Sequence, residues 1–333
     1  MGEAGSAGSP RADTQIELGL NAAIVTVQDR QPQILVVSPK SRAPGSWDTL
    51  PFGPFAPRAQ RTLEIGLRTW VKKQTGLDLG YVEQLYTFGD RGRHAEPTDP
   101  ASHILSIGYL ALTRTQGEDL AGSHWSPWYG YFPWEDWRQG KPEILTREIE
   151  PRLKRWAETP PLPDEPARPL RRTERLKVSF GLGAGFDEER VLERYELLYE
   201  AGLLPEAKRD GRAAATQWQD LPELGRPMAF DHRRILATAM GRFRGKLKYR
   251  PVVFELLPPE FTLLELQQTV EAISGTLLHK QNFRRLVEQG GLVEATGNVS
   301  TSTGGRPARL YRFRREVVLE RPAPGLRVKA GRA

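Results

Sequence analysis

The stretch "FTLLELQQTVEAISGTLLHKQNFRRLVEQGGLVEAT", residues 261–296, restricts the possible folds of this chain more than any other part of it. Thr262 and Glu265 stand at capping-box spacing, where a hydroxyl and a carboxylate each satisfy a backbone N–H that a helix start leaves orphaned. Leu266, Val270 and Ile273 then recur on one face, and Gly275 supplies a stop. After "TLL" a second helical pattern, "HKQNFRRLVEQGG", turns Phe283, Leu286 and Val287 inward. The same turn carries Lys280, Gln281, Arg284 and Arg285 outward as two i,i+4 pairs. Helix, short turn and basic helix make a helix-turn-helix.

The next residues extend it. "LVEAT", the polar loop "GNVSTSTGGRPA" and "RLYRFRR" read as a hairpin with a basic tip, and a helix-turn-helix followed by such a hairpin is a winged helix. Charge points the same way. The net charge is +7, but residues 227–333 hold 19 Lys and Arg against 9 Asp and Glu, so the excess is confined to the C-terminal third. That asymmetry fits a domain that meets a polyanion. Arg reads guanine and Asn or Gln reads adenine in the major groove, and Lys280, Gln281, Asn282, Arg284 and Arg285 supply this inventory on one helix. Arg284→Ala is expected to weaken binding by about 1–3 kcal/mol if Arg284 reads a base. Arg306, Arg309, Arg312 and Arg314 around the wing are expected at phosphates or in the minor groove, and Thr262 at a helix N-terminus that can meet a phosphate. Double-stranded DNA is therefore the expected partner, since duplex RNA hides its major groove. A winged helix that contacts protein, its arginines merely solvated, is the competing reading.

The 333 residues suggest two domains. With no cysteine, disulfides, thiolate metal sites and a cysteine nucleophile are ruled out; the five His, at 94, 103, 124, 232 and 279, form no sequence cluster, so neither a metal site nor a cofactor is expected. No stretch of about 18 apolar residues is present and the start is small and polar, so the expectation is a cytoplasmic protein with no membrane span.

Residues 1–14 read as a disordered tail. "IELGLNAAIVTV" and "QILVVSP" form an expected hairpin around the turn "QDRQPQ", and "LGYVEQLYTFGD" and "HILSIGYLALT" alternate as strands, so the domain over 15–156 is α+β. "HWSPWYGYFPWEDW" holds four of the eight Trp and reads as packing over a sheet. A helix in "LTREIEPRLKRWAE" is expected to kink or restart at Pro151. Residues 157–226 read as a Pro-rich spacer and a linker helix, "DEERVLERYELLYEAGLL", with Val191, Leu192, Tyr195, Leu198 and Tyr199 on its apolar face. Residues 227–316 form the winged helix-turn-helix domain, led by a helix that Asp231 can cap, and 317–333 a basic tail.

"LPFGPFAPRAQRTLEIGLRTWVKKQTGL" resembles the Nudix signature, with its final Gly at Gly76 and the following apolar residue at Leu77. On that alignment the Arg-Glu pair falls on Thr69 and Trp70, and the two metal-binding Glu fall on Lys73 and Gln74. Nudix hydrolases gather Mg²⁺ on such carboxylates; Lys73 repels the ion and Trp70 and Gln74 offer it no charge, so the expectation is a domain that is not an enzyme. The same helix, with Leu63, Leu67, Trp70 and Val71 inward, also reads as plain amphipathic packing. The chain as a whole is similar to the Nudix-related transcriptional regulators of NAD metabolism. "LPFGPF" resembles their Leu-Pro-Gly-Gly-Phe lead-in, "QLYTFGD" nearly repeats their words, and "NFRR" with "GGRPARLYRF" resembles their recognition helix and wing. "ERYELLYEAGLL" resembles the alphaproteobacterial branch.

The resemblance implies a Nudix-like α/β/α sandwich followed by a helical linker and a winged helix, and a dimeric repressor in which ADP-ribose or a related NAD metabolite loosens DNA. Its expected ligand-binding residues are Phe52, Gly53, Arg61, Glu64, Arg68, Asp90, Arg91 and Arg93, the arginines matching a diphosphate. Two departures, Pro54 for the second Gly and "RGRHAEPTDPASH" for an Arg-Asp-Pro element, bear on the effector's identity. The alternatives are a divergent Nudix hydrolase using acids outside the signature, and a metabolite-binding scaffold whose winged helix contacts protein.

Overall fold

A computed structural model describes residues 15–39, 46–90, 103–114, 122–161, 168–182, 185–300 and 307–326. Its first unit is a six-stranded sheet built from β1 (Ile16–Gln28), β2 (Gln31–Val37), β3 (Phe52–Pro54), β4 (Tyr81–Phe88), β5 (His103–Leu112) and β6 (Ser123–Pro127), with α1 (Leu63–Thr75) between β3 and β4. The order is β4-β5-β1-β2-β6, with β3 pairing β1 off this path. Only β1 and β5 run parallel; their neighbours are antiparallel. The β1–β2 turn closes on two residues, Asp29 and Arg30, both at positive φ (48° and 63°), and is tighter than the six residues the sequence suggested. Positive φ at both central residues suits a two-residue hairpin turn, whose twist matches that of the strands, and the Arg30 carbonyl accepts a 2.6 Å hydrogen bond from Arg138 Nη1.

The middle of β1, residues 20–26, is buried on both faces and mostly apolar. Leu20, Ala22 and Ile24 pack with Leu67, Val71 and Leu77 beneath α1. Ala23 and Val25, one residue out of phase, join Ile34, Val36, Leu110 and Leu112 in a larger core on the other side. α1 starts at Thr62, whose hydroxyl accepts from the Ile65 N–H at 3.1 Å, and stops at Gly76 in the left-handed conformation.

The chain continues through α2 (Glu150–Glu158), α3 (Arg172–Phe180), α4 (Val191–Glu200), α5 (Pro205–Arg209) and α6 (His232–Leu247). A π-helical turn at Leu145–Ile149 directly precedes Pro151, which has no N–H for the helix ladder, so the expected restart appears as a widened turn. The aromatic segment is core: Trp128, Tyr131, Phe132 and Trp134 are fully buried. The region read as a spacer is more ordered than expected. α3 was not foreseen, and Leu176 and Phe180 on it, with Val191, Tyr195, Leu198 and Tyr199 on α4, join the main core.

α6 lies across the sheet face opposite α1, against β1, β4, β5 and α4, so the second helical layer of the sandwich comes from beyond residue 227. Ile235, Leu236, Ala239, Met240 and Phe243 fill that interface. Asp231 takes the N-cap position of α6 but makes no capping bond from its side chain. The winged helix follows as α7 (Leu263–Ser274), α8 (Lys280–Gln289), β7 (Val293–Ser300) and β8 (Ala308–Phe313), closed by α9 (Val317–Glu320). The capping box at Thr262 and Glu265 and the left-handed Gly275 both form as the sequence requires.

Buried charge joins the two units. Glu135, 0% exposed, accepts from Arg194 Nε and Nη2 of α4 at 2.5 and 2.8 Å and from Arg244 Nη1 of α6 at 2.7 Å. Burial pushes the Glu135 carboxyl up, but the two guanidinium groups outweigh it and hold it below its ordinary range. Alongside, Tyr129 donates its hydroxyl to the Ala272 carbonyl and the Trp137 N–H donates to the Gly275 carbonyl, both at 2.7 Å. The end of α7 is thereby fixed to the aromatic segment. Gly275 has to be glycine there: φ is 73° and a Cβ would come within 2.4 Å of the Glu135 carbonyl oxygen.

Candidate functional site

α8 buries Phe283 and Val287 and half-buries Leu286, while Lys280, Gln281, Asn282, Arg284 and Arg285 are exposed. This is the division its spacing predicted. None of these five side chains has a hydrogen bond or ion pair among the described residues. A helix with free donors along one face can enter a major groove without first breaking internal bonds.

The wing residues divide into two kinds. Arg309 is exposed on β8, while Arg306 lies outside the described residues. Arg312 is exposed and pairs across the hairpin with Glu294 at 2.6 Å, an arrangement that water screens. Arg314 is half-buried and donates to the Gly291 carbonyl (3.0 Å) and to both oxygens of Glu320 (2.9 and 2.5 Å), so it pins the base of the wing to α9. Thr262 is also committed: its hydroxyl accepts from the Glu265 N–H at 3.1 Å, and the Glu265 carboxylate accepts from the Thr262 N–H at 2.6 Å. A phosphate at this helix start would have to displace Glu265.

In the Nudix-like unit the residues aligned with the signature acids hold structural partners. Gln74 accepts from the Phe52 N–H at 3.0 Å and donates to the Phe52 carbonyl at 2.7 Å. Trp70 donates its indole N–H to the Pro54 carbonyl at 2.8 Å, and its ring covers Gly53 so closely that a Cβ there would sit 2.1 Å from it. The Lys73 ammonium lies 5.0 Å from the same ring. Amide, indole and ammonium thus occupy the face where carboxylates would hold a cation, and no group of three or more His, Cys, Asp or Glu able to hold a metal exists among the described residues.

The expected ligand residues are partly engaged as well. Arg68 pairs with Glu64 at 2.8 Å and donates to the carbonyls of Leu79 and Gly80. Asp90 pairs with Arg234 of α6. Phe52 packs edge-on against Phe230 and His232, with ring centroids 5.9 and 5.1 Å away. The His232 ring accepts the Leu50 N–H at 2.9 Å; burial, and then Arg209, push its pKa down to about 3, so it is neutral. Arg61 is exposed on the approach to α1, and Arg91 and Arg93 lie outside the described residues.

Residues 253–313 match the family model of the NrtR DNA-binding winged helix domain. The C-terminal domain is an NrtR-type winged helix. Over 99 residues the chain is 42% identical to the ADPR responsive transcriptional repressor NtrR of Acinetobacter baylyi, a match spanning 29% of this chain and 39% of that relative. The architecture is similar to that of Shewanella oneidensis NrtR crystallised with a 27mer DNA, with a TM-score of 0.53, 20% identity, and 91% of this chain and 95% of that one covered. It is also similar to a MutT/nudix family protein from Enterococcus faecalis, with a TM-score of 0.50, 15% identity, and coverage of 94% and 90%. At these identities the likeness is one of fold: a Nudix-like sandwich followed by a winged helix.

Sequence reasoning missed the residues that fasten this NrtR-type winged helix to the sheet-containing unit. Glu135, Arg194 and Arg244 are far apart in the chain, and Arg194 and Arg244 each sit in a pattern that reads as an exposed charge on an amphipathic helix. The available signal was Glu135 itself, an acid inside "YFPWEDW" where its neighbours are core aromatics.

Proposed function

We propose that this chain is a transcriptional repressor that binds a double-stranded DNA operator through α8 and the wing, and releases it when ADP-ribose or a related NAD metabolite occupies the Nudix-like unit. The observation that carries this reading is the row of free donors on α8, within a segment of the NrtR DNA-binding type. The responsiveness printed for the Acinetobacter relative supports ADP-ribose as the first effector to try. A homodimer would set two α8 helices one DNA turn, about 34–36 Å, apart, matching a palindromic operator. The Nudix-like unit binds without hydrolysing, because Trp70, Lys73 and Gln74 offer a divalent cation no carboxylate, and Trp70 and Gln74 are already bonded to β3. The site of action is the cytoplasm; no helix among the described residues is long and apolar enough to cross a membrane.

The test is fluorescence anisotropy with duplex from the region upstream of the chain's own gene. Arg285→Ala is expected to weaken binding by about 1–3 kcal/mol if Arg285 reads a base, and added ADP-ribose to raise the dissociation constant of the unaltered protein. Binding that is indifferent to Arg285→Ala removes that side chain from the interface, and no duplex binding at any salt concentration ends the reading. Incubation of ADP-ribose with Mg²⁺ and the protein is expected to release no AMP.

A further inference from the structure

Glu288 lies on the DNA-facing side of α8, and we infer that it is a specificity determinant, accepting a hydrogen bond from the exocyclic amino group of a cytosine next to the base pair that Arg285 reads. The inference rests on the DNA-binding reading above and deepens it. With about 100° per residue, Gln281, Arg285 and Glu288 fall within about 60° of one another, on the side away from the buried Phe283 and Val287. Arg284, singled out from the sequence as the base reader, flanks this row with Lys280 on one side, and Asn282 and Gln289 lie on the other, so Arg285 takes the central place instead. Glu288 is exposed, and its carboxylate has no hydrogen bond or ion pair among the described residues, even with Arg284 four positions earlier.

An unpaired carboxylate in the middle of a face that enters a phosphate-lined groove is unfavourable unless the groove offers it a donor. The major-groove donors are amino groups, and the pairing that suits a carboxylate is cytosine N4; the keto oxygens of guanine and thymine would set acceptor against acceptor. The rise from Arg285 to Glu288 is about 4.5 Å, slightly more than one base step of about 3.4 Å. Arg285 on a guanine therefore brings Glu288 to the neighbouring pair. The carboxylate discriminates there by accepting cytosine and repelling keto bases, while contributing little to affinity in general.

The experiment is selection of bound sequences from a randomised duplex library by the full chain, carried out with the unaltered protein, Glu288→Ala and Glu288→Gln. Glu288 is exposed and its side chain is unbonded, so both variants should fold, which far-UV circular dichroism checks directly. The unaltered protein is expected to select cytosine beside the guanine of the half-site, with about tenfold discrimination. Glu288→Ala is expected to make that one position degenerate and leave the others intact. Glu288→Gln is expected to move it toward adenine, the base whose edge a side-chain amide matches. If both variants keep the original consensus and simply bind every sequence more tightly, Glu288 only repels phosphates and the inference fails. A library that yields no consensus with the unaltered protein overturns the DNA reading itself, and this assignment with it.

Discussion

α1 and α8 are both short amphipathic helices rich in cations, and they differ in what their polar side chains are doing. On α1, Arg68 holds Glu64 and two carbonyls, Lys72 holds Asp78 at 2.5 Å, and Trp70 and Gln74 hold the backbone of Phe52 and Pro54. On α8 the five corresponding donors hold nothing among the described residues. Composition cannot separate the two cases, because a charge with an internal partner and a charge awaiting a ligand look alike in a sequence. What separates them is whether the fold has already satisfied the group. The polar side chains of α1 are bound into the fold, and those of α8 are left available for the partner proposed above.

The strongest way to break this contrast is to cut the joint between the two units. Arg244→Met leaves buried Glu135 with Arg194 alone and removes the bonds from Arg244 to the Ile273 carbonyl (2.9 Å) and the Glu135 carbonyl (3.1 Å). Removing one member of a buried ion cluster costs about 3–5 kcal/mol, which urea unfolding measures. All eight Trp precede residue 227, so their fluorescence follows the sheet-containing unit, while far-UV circular dichroism also follows α7 and α8. The two signals are expected to coincide in the unaltered protein and to separate in Arg244→Met. Coincident transitions with unchanged stability would show that the buried cluster is not what joins the units.

A middle-sized effect tests α1 itself by putting in the acid that the aligned signature carries. Gln74→Glu turns the donor that meets the Phe52 carbonyl into a second acceptor and is expected to cost about 1–3 kcal/mol at neutral pH, with DNA affinity unchanged. The sign with pH follows from the protonated form, which can donate again. The folded state raises the pKa of this carboxyl above its unfolded value of about 4.3, so the deficit against the unaltered protein is absent below that pH and grows as pH rises through the folded value. Unfolding both proteins at several pH values checks it. A variant as stable as its parent at pH 7 would mean that Gln74 is not holding the loop.

These tests also mark how far the sequence could be read. The winged helix was legible because its determinants are local: a capping box, a left-handed glycine and an apolar stripe each act within one or two turns. That Trp70, Lys73 and Gln74 stand on α1 was legible for the same reason, since it is a matter of which residues occupy one helical face. What they hold was not, because Gln74 and Trp70 find partners in Phe52 and Pro54 across a loop. The sequence also left open what covers α6, which packs on the sheet as well as on α7. Its stripe of Ile235, Leu236, Ala239, Met240 and Phe243 shows that a face is buried without saying against what, and the sheet, not the winged helix alone, supplies the cover. Arg314 shows the limit for charges: a basic residue just after β8 was expected at a phosphate, yet Glu320 and the Gly291 carbonyl hold it.

The smallest effect sharpens the contrast from the side of α8. Lys280 is the first residue of the helix, where the N-terminal end of the macrodipole is positive and a cation is out of place, and no internal partner compensates it. A residue so placed does not serve the fold. It also stands at the flank of the outward row rather than its centre, where a phosphate and not a base edge is in reach. Lys280→Ala is therefore expected to leave folding stability unchanged or raise it by about 0.3–1 kcal/mol. DNA binding should weaken evenly across operator and unrelated duplexes, and the plot of log affinity against log salt should lose about one unit of slope. Arg285→Ala instead weakens operator binding selectively. Anisotropy titrations at several salt concentrations separate the two outcomes, and a loss at Lys280 confined to the operator would make it a reader of bases, with the row of readers on α8 wider than its geometry suggests.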